Sequence, residues 1–141
     1  MSDIVVGYKN HLAPQCATPG SAGYDLIANV DVALAPGRWA QVGTGLYLEL
    51  PSGYVAQVCP RSGLALKHGI SILNAPGIID SDYRGEIKIL LVNHGALRYN
   101  VKNGDKIAKL VFVPVVHVQM KHIDQLTETA RAEGGFGSTG R

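Results

Sequence analysis

The 141-residue sequence holds only two cysteines, one tryptophan and two phenylalanines, and its formal net charge is only +2. Cys16 and Cys59 stand alone, outside any Cys-x-x-Cys pair, which excludes a zinc ribbon or a dithiol redox site and reads as two reduced thiols. The five histidines fall into no His-x-His or His-Glu-x-x-His spacing, leaving them surface or structural hydrogen-bonding roles. So balanced a charge, with no run of basic residues, gives no footprint for nucleic acid or an anionic membrane surface. No apolar run approaches the ~20 residues of a membrane span. Met1-Ser-Asp-Ile-Val-Val-Gly-Tyr-Lys9 has neither the apolar core of a signal peptide nor an Arg- and Ser-rich transit pattern, so a cytoplasmic location is expected. Helical spacing is nearly missing too: Leu64–Lys67 suits one turn, and Ile123–Ala130 shows a weak echo.

What is present is period-two alternation punctuated by turns. With 46% hydrophobic residues, 17 glycines and 7 prolines, the chain suits one turn-rich domain able to bury a core. Ile4, Val6 and Tyr8 alternate, as do Val30, Val32 and Leu34 ahead of Pro36-Gly37. Tyr47–Leu50 and Tyr54–Cys59 flank Pro51-Ser-Gly53 and predict a hairpin. Asn103-Gly104 opens a reversal ahead of Ile107–Val113, and beyond Pro114 the residues Val116, Val118 and Met120 predict a further strand. Many short strands imply an all-β sandwich, jelly roll or small barrel. After about Thr129 the composition changes: Arg131-Ala-Glu-Gly-Gly-Phe-Gly-Ser-Thr-Gly140 cannot build a core and suits a mobile arm or a segment ordered by a ligand.

Chemistry concentrates in five clusters. Asn74-Ala-Pro-Gly-Ile-Ile-Asp80-Ser-Asp82-Tyr83-Arg84-Gly85 reads as a hairpin whose return arm is unusually polar, with Asp80 and Asp82 spaced to share one face of a strand. Ala22-Gly-Tyr-Asp25-Leu26 brings a carboxylate into a strand. Pro60-Arg61-Ser62-Gly63 offers a guanidinium, a hydroxyl and glycine-exposed amides, the set an anionic oxygen cluster needs. Asn103-Gly-Asp-Lys-Ile-Ala-Lys109 makes a tight turn and a strand, and the glycine-rich tail suits phosphates but is no Walker A loop.

In this order the five resemble the motifs of the trimeric dUTP pyrophosphatases (dUTPases): Ala22–Ala28, Pro60–Gly69, Gly77–Gly85, Gly104–Ala108 and Arg131–Gly140, together spanning nearly the whole chain. The resemblance implies an all-β, distorted jelly-roll-like β-barrel over residues 1–120. It implies a homotrimer whose flexible arm, residues 121–141, closes a neighbour's active site. The implied reaction is hydrolysis of dUTP to dUMP and pyrophosphate with Mg²⁺ as cofactor, keeping uracil out of DNA and supplying dUMP for dTMP synthesis; neither nucleic acid nor membrane is an implied partner.

Carried over by residue, Asp80 activates the water that attacks the α-phosphorus. Asn74 and hairpin main-chain groups read uracil, and Tyr83 excludes a 2′-hydroxyl. Arg61, Ser62, Gly63 and Lys109 contact phosphates. From the arm, Arg131, Gly137, Ser138 and Thr139 hold the γ-phosphate end and Phe136 stacks on the base. Asp25 fixes Mg²⁺ through a water, the substrate phosphates holding the ion otherwise. Two positions depart from the family: Lys109 where glutamine is usual, and Ala132 where glycine is usual. The related dCTP deaminases carry a catalytic glutamate where this chain aligns Leu90, which cannot shuttle protons; a nucleotide-sensing regulator is the alternative outside enzymes.

Overall fold

The computed structural model describes residues 3–10 and 12–141. Among them the chain runs through β1 (Gly7–Lys9), β2 (Tyr24–Ile27), β3 (Val32–Leu34), β4 (Trp39–Gly43), β5 (Tyr47–Glu49), β6 (Tyr54–Cys59), helix α1 (Ser62–His68), β7 (Ile70–Ile72), β8 (Gly77–Ile79), β9 (Lys88–Asn93), β10 (Tyr99–Val101) and β11 (Lys106–Pro114). The strands pair antiparallel in the orders β2-β11-β6-β8, β4-β9-β7, β1-β5 and β3-β10. They wrap one core that includes Leu26, Leu34, Val42, Ile89, Leu91 and Leu110, which makes an all-β, jelly-roll-like barrel.

Strand partners differ from the sequence reading in instructive places. Tyr47–Glu49 and Tyr54–Cys59 are strands, but they do not form a hairpin: β5 pairs with β1, and β6 lies between β11 and β8. Pro51 has no N–H for a ladder, and the chain uses the turn beyond Leu50 to change sheets. Of the alternating segment from Ile4 to Lys9 only Gly7–Lys9 pairs. Val116, Val118 and Met120 form no strand; nothing in the chain covers them and they stay exposed.

A bulge decides what β11 presents. Its register against β2 shifts between Lys106 and Ala108, so the inserted Ile107 is buried together with Ala108 and Leu110 rather than alternating outward. Lys106 and Lys109, three apart, thereby reach the same carboxylate on β2.

Helix α1 ends in a tight lock. Gly69 adopts the left-handed conformation at φ 68° and its N–H donates to Ala65 O at 3.0 Å. A Cβ at Gly69 would lie 2.6 Å from Gly95 N, so two backbones touch where only glycine fits. Asn93, fully buried, holds that loop: Nδ2 donates to Leu34 O at 3.0 Å and Leu97 O at 2.9 Å, and Oδ1 accepts from Gly95 N at 2.9 Å.

Candidate active site

The hairpin cluster does close on itself at its base, where Ile72 stands opposite Leu91. Between those strands the chain crosses the barrel and pairs Gly77–Ile79 with β6, so the excursion bridges two sheets. A cleft of about 640 Å³ opens beneath it, lined in part by Asn74, Ile79, Asp80, Tyr83, Glu86 and Leu90. Asp80 and Asp82 do not share a strand face as their spacing predicts. The strand stops at Ile79, and Tyr83 N donates to Asp80 O at 3.2 Å, closing a turn that leaves Asp80 on the cleft and Asp82 off it.

Within that turn Tyr83 is fixed from both ends. Its Oη donates to Glu86 O at 2.9 Å, and Glu86 Oε2 in turn accepts from Gly45 N at 3.3 Å. Nothing in the sequence pattern marks Glu86, because its main-chain oxygen does the work. Arg84 points away from the cleft, to Ser81 O at 2.7 Å and to Glu49 at 3.7 Å across exposed surface.

The anion-binding candidates gather around Asp25. Lys109 Nζ stands 2.6 Å from Asp25 Oδ1 and Lys106 Nζ stands 3.4 Å from Oδ2, while Arg61 Nη1 donates to Lys106 O. Gly23 leaves room for the lysine stem, since a Cβ there would already touch Lys109 Cβ at 3.2 Å. Burial pushes the Asp25 carboxyl up, but the hydrogen bonds and charges of Lys109 and then Lys106 outweigh it and hold it below its ordinary value. Lys106 lies inside the fourth motif but carries no role in the sequence reading; its spacing of three from Lys109 signals one site only once the bulge is known.

No group of three or more His, Cys, Asp or Glu side chains suited to a metal ion exists among the described residues. One buried carboxylate already engaged by two ammonium groups does not make a protein cage for a resident ion; it leaves Asp25 able to meet at most a hydrated one.

The last strand ends at Pro114, and residues 115–141 carry neither strand nor helix. From Thr129 onward the arm hydrogen-bonds with itself in successive turns, including Arg131 Nε to Gly134 O at 2.8 Å and Ser138 N to Gly135 O at 3.1 Å. Ala132 and Phe136 both take φ 49°, a left-handed conformation unusual outside glycine, and the Phe136 ring is fully exposed. The structure thus places the predicted residues in three groups. Asn74, Asp80 and Tyr83 share the hairpin cleft; Arg61, Lys109 and Asp25 form the charged cluster at the start of α1, where Ser62 and Gly63 lie; Arg131, Phe136, Gly137, Ser138 and Thr139 ride on the arm, which lines neither cleft. Asp25 opens on a separate cleft of about 420 Å³, and Tyr47 lines both.

Comparison with known proteins agrees with this geometry. The dUTPase family model matches residues 9–140. A deoxyuridine 5'-triphosphate nucleotidohydrolase of Gloeobacter violaceus is 54% identical over 90% of this chain and 88% of its own, and one of Nautilia profundicola is 49% identical over 92% of each. Among solved structures, a Staphylococcus bacteriophage 80alpha dUTPase mutant with dUpNHpp superposes with a TM-score of 0.89 at 25% identity, covering 97% of this chain and 99% of that one. A mutant dUTPase of the S. aureus phage phi11, described with a structural Mg(II) ion, superposes with a TM-score of 0.79 at 25% identity over 86% of this chain and 97% of its own. Five motifs in order, a barrel of the same shape and relatives at about half identity over nearly the full length converge: the chain belongs to the dUTPase family.

Proposed function

We propose that this dUTP diphosphatase cuts dUTP between its α- and β-phosphates, releasing dUMP and pyrophosphate, at sites assembled from three copies of the chain. The observation that carries the reading is the hairpin cleft, where Asn74, Asp80 and Tyr83 meet on one concave surface. The separation of cleft, charged cluster and arm within a single chain is consistent with a homotrimer, because each group then meets its complement on a neighbour. On this reading residues 121–141 reach across as the arm, and the enzyme works on the cytoplasmic nucleotide pool, removing dUTP before it enters DNA and supplying dUMP for thymidylate.

Uracil enters the hairpin cleft and meets main-chain groups of the excursion and the Asn74 amide, which can donate and accept to its pairing edge; cytosine's exocyclic amine would face a donor. The Asp80 carboxylate accepts a proton from a water as that oxygen attacks the α-phosphorus, and the bond to the α,β-bridging oxygen breaks with pyrophosphate leaving. Arg61, the amides at Ser62 and Gly63, and Lys109 hold the phosphates and draw charge off the leaving group, the main demand in phosphoryl transfer. A magnesium ion bound there would supply charge neutralisation. Asp25 would hold one of that ion's waters once Lys109 turns to phosphate. Arg131, Gly137, Ser138 and Thr139 clasp the γ-phosphate end and Phe136 covers the base, excluding bulk water.

Leu90 on the cleft wall disfavours deamination of dCTP, since that position offers no proton carrier. A pyrophosphate-release assay with Mg²⁺ and dUTP, dCTP, UTP and dTTP tests the reading. Turnover of dUTP alone is expected. Ammonia from dCTP, or orthophosphate with dUDP from dUTP, overturns it.

A further inference from the structure

We infer that Gly85 is a specificity-determining position, because its missing side chain is the seat that holds the Tyr83 ring in place; this rests on the proposed role of Tyr83 against the sugar. A Cβ built on Gly85 has its three nearest atoms all on Tyr83, colliding with Oη and lying 2.5 Å from Cζ and 2.9 Å from Cε1. The ring therefore lies directly over the backbone of residue 85. Gly85 is outside the positive-φ region, so a methyl group there meets no left-handed backbone penalty, and the three atoms it meets first all belong to the Tyr83 side chain.

The wall behind the ring is rigid. Tyr83 Oη donates to Glu86 O at 2.9 Å, and the next residue, Ile87, is completely buried. Ile87 N donates to Leu46 O at 2.8 Å, and Ile87 O accepts from the buried Thr44 Oγ1 at 2.6 Å. The acceptor that pins the phenol is thus bolted to the barrel, whereas Tyr83 itself is 43% exposed. Ring position at the cleft depends on the hydrogen bond to Glu86 and on the empty space at Gly85. A surface that rejects a hydroxyl by contact needs that position held, since a displacement of about 1 Å is enough to admit one oxygen atom.

The test compares kcat and KM for dUTP and UTP in wild type, Gly85→Ala, Tyr83→Phe, Tyr83→Ala and the Gly85→Ala/Tyr83→Ala double variant, with a melting curve for each. Gly85→Ala is expected to fold with a midpoint near wild type and to lose roughly tenfold or more of the preference for dUTP. In the Tyr83→Ala background the same change is expected to do nothing further, because no ring remains to displace. Full preference retained in Gly85→Ala, or an equal loss in both backgrounds, overturns the inference. Preference retained in Tyr83→Ala overturns the sugar role of Tyr83 itself, and the inference with it. If Gly85→Ala does not fold, the double variant decides: folding restored when Tyr83→Ala removes the ring supports the seat, and a double variant that stays unfolded overturns it.

Discussion

Lys109 Nζ lies 2.6 Å from Asp25 Oδ1, and the carboxylate it holds is almost wholly buried while the ammonium remains partly open to solvent. The pair is therefore asymmetric. Removing the cation strands a buried charge with only Lys106 at 3.4 Å, whereas removing the carboxylate leaves an ammonium that water can reach. Lys109→Ala is expected to cost about 2 kcal/mol in urea unfolding, and Lys109→Gln about 1 kcal/mol because an amide still donates to Asp25. A glutamine there can also accept a hydrogen bond from a water, which lysine cannot, so turnover of Lys109→Gln should equal or exceed wild type. A collapse of turnover in that variant would assign the ammonium a role glutamine cannot fill.

The same pair sets a pH dependence. Burial raises the Asp25 carboxyl, Lys109 and Lys106 lower it further than burial raises it, and the net native value is below that of the unfolded chain. Stability from this group is then fully present above the ordinary carboxylate value of ~4 and is lost as pH falls through the lowered native one. Asp25→Asn should be less stable than wild type at neutral pH, and the gap should close as unfolding is repeated at pH values below about 4. A gap independent of pH would mean that the cost lies in packing and not in charge.

Much of this was legible in the chain, and the failures share one cause. Period-two alternation and Gly/Pro turns located β5, β6 and β11, because burial on one face writes itself into local sequence, while the three-residue strands Gly77–Ile79 and Tyr99–Val101 are too short to carry a pattern. Which strand pairs with which is a long-range choice, and the Pro51-Ser-Gly53 turn looks the same whether it closes a hairpin or carries the chain between sheets. The motifs named Asp25, Asp80 and Tyr83, since each brings its own functional group. They passed over Glu86, which contributes a main-chain oxygen, and gave no role to two residues inside the motifs: Gly85, which contributes an empty space, and Lys106, which a one-residue bulge turns toward Asp25.

Asn93 illustrates a residue that sequence reasoning passes over and the fold depends on. Its buried amide satisfies Leu34 O, Leu97 O and Gly95 N, the first bond buried and the other two part-buried. Asn93→Ala would leave Leu34 O buried and unpaired and break two part-buried bonds, at about 2 kcal/mol, and loosen the loop against which Gly69 ends α1. Because α1 begins at Ser62, beside Arg61, KM for dUTP should rise along with the loss in unfolding free energy. A stability loss with unchanged KM would uncouple the Asn93 lock from the phosphate-binding end.

Asp80 offers the cleanest separation of chemistry from binding. It lines the cleft from an exposed turn, no core contact depends on it, and the melting curve of Asp80→Asn should match wild type. The amide keeps the shape and loses the proton acceptor, so hydrolysis should fall by a factor of about 10² or more while nucleotide affinity stays within a few-fold. Lost affinity in a normally folded variant would reassign the base.

Ala132 tests how the arm is ordered. At φ 49° it carries a left-handed conformation that costs an alanine roughly 1 kcal/mol, and glycine would relieve it. Glycine also widens the range of conformations the free arm must give up on closing, which opposes the gain. The two effects are of similar size, so Ala132→Gly should change kcat/KM for dUTP by less than about fivefold, as under 1 kcal/mol implies. Deleting residues 131–141 removes Arg131, Phe136, Ser138 and Thr139 together and should abolish turnover while leaving the barrel's melting midpoint unchanged, since the arm from Thr129 bonds only to itself. Normal hydrolysis after that deletion would mean that the hairpin cleft and the cluster around Asp25 suffice without a lid.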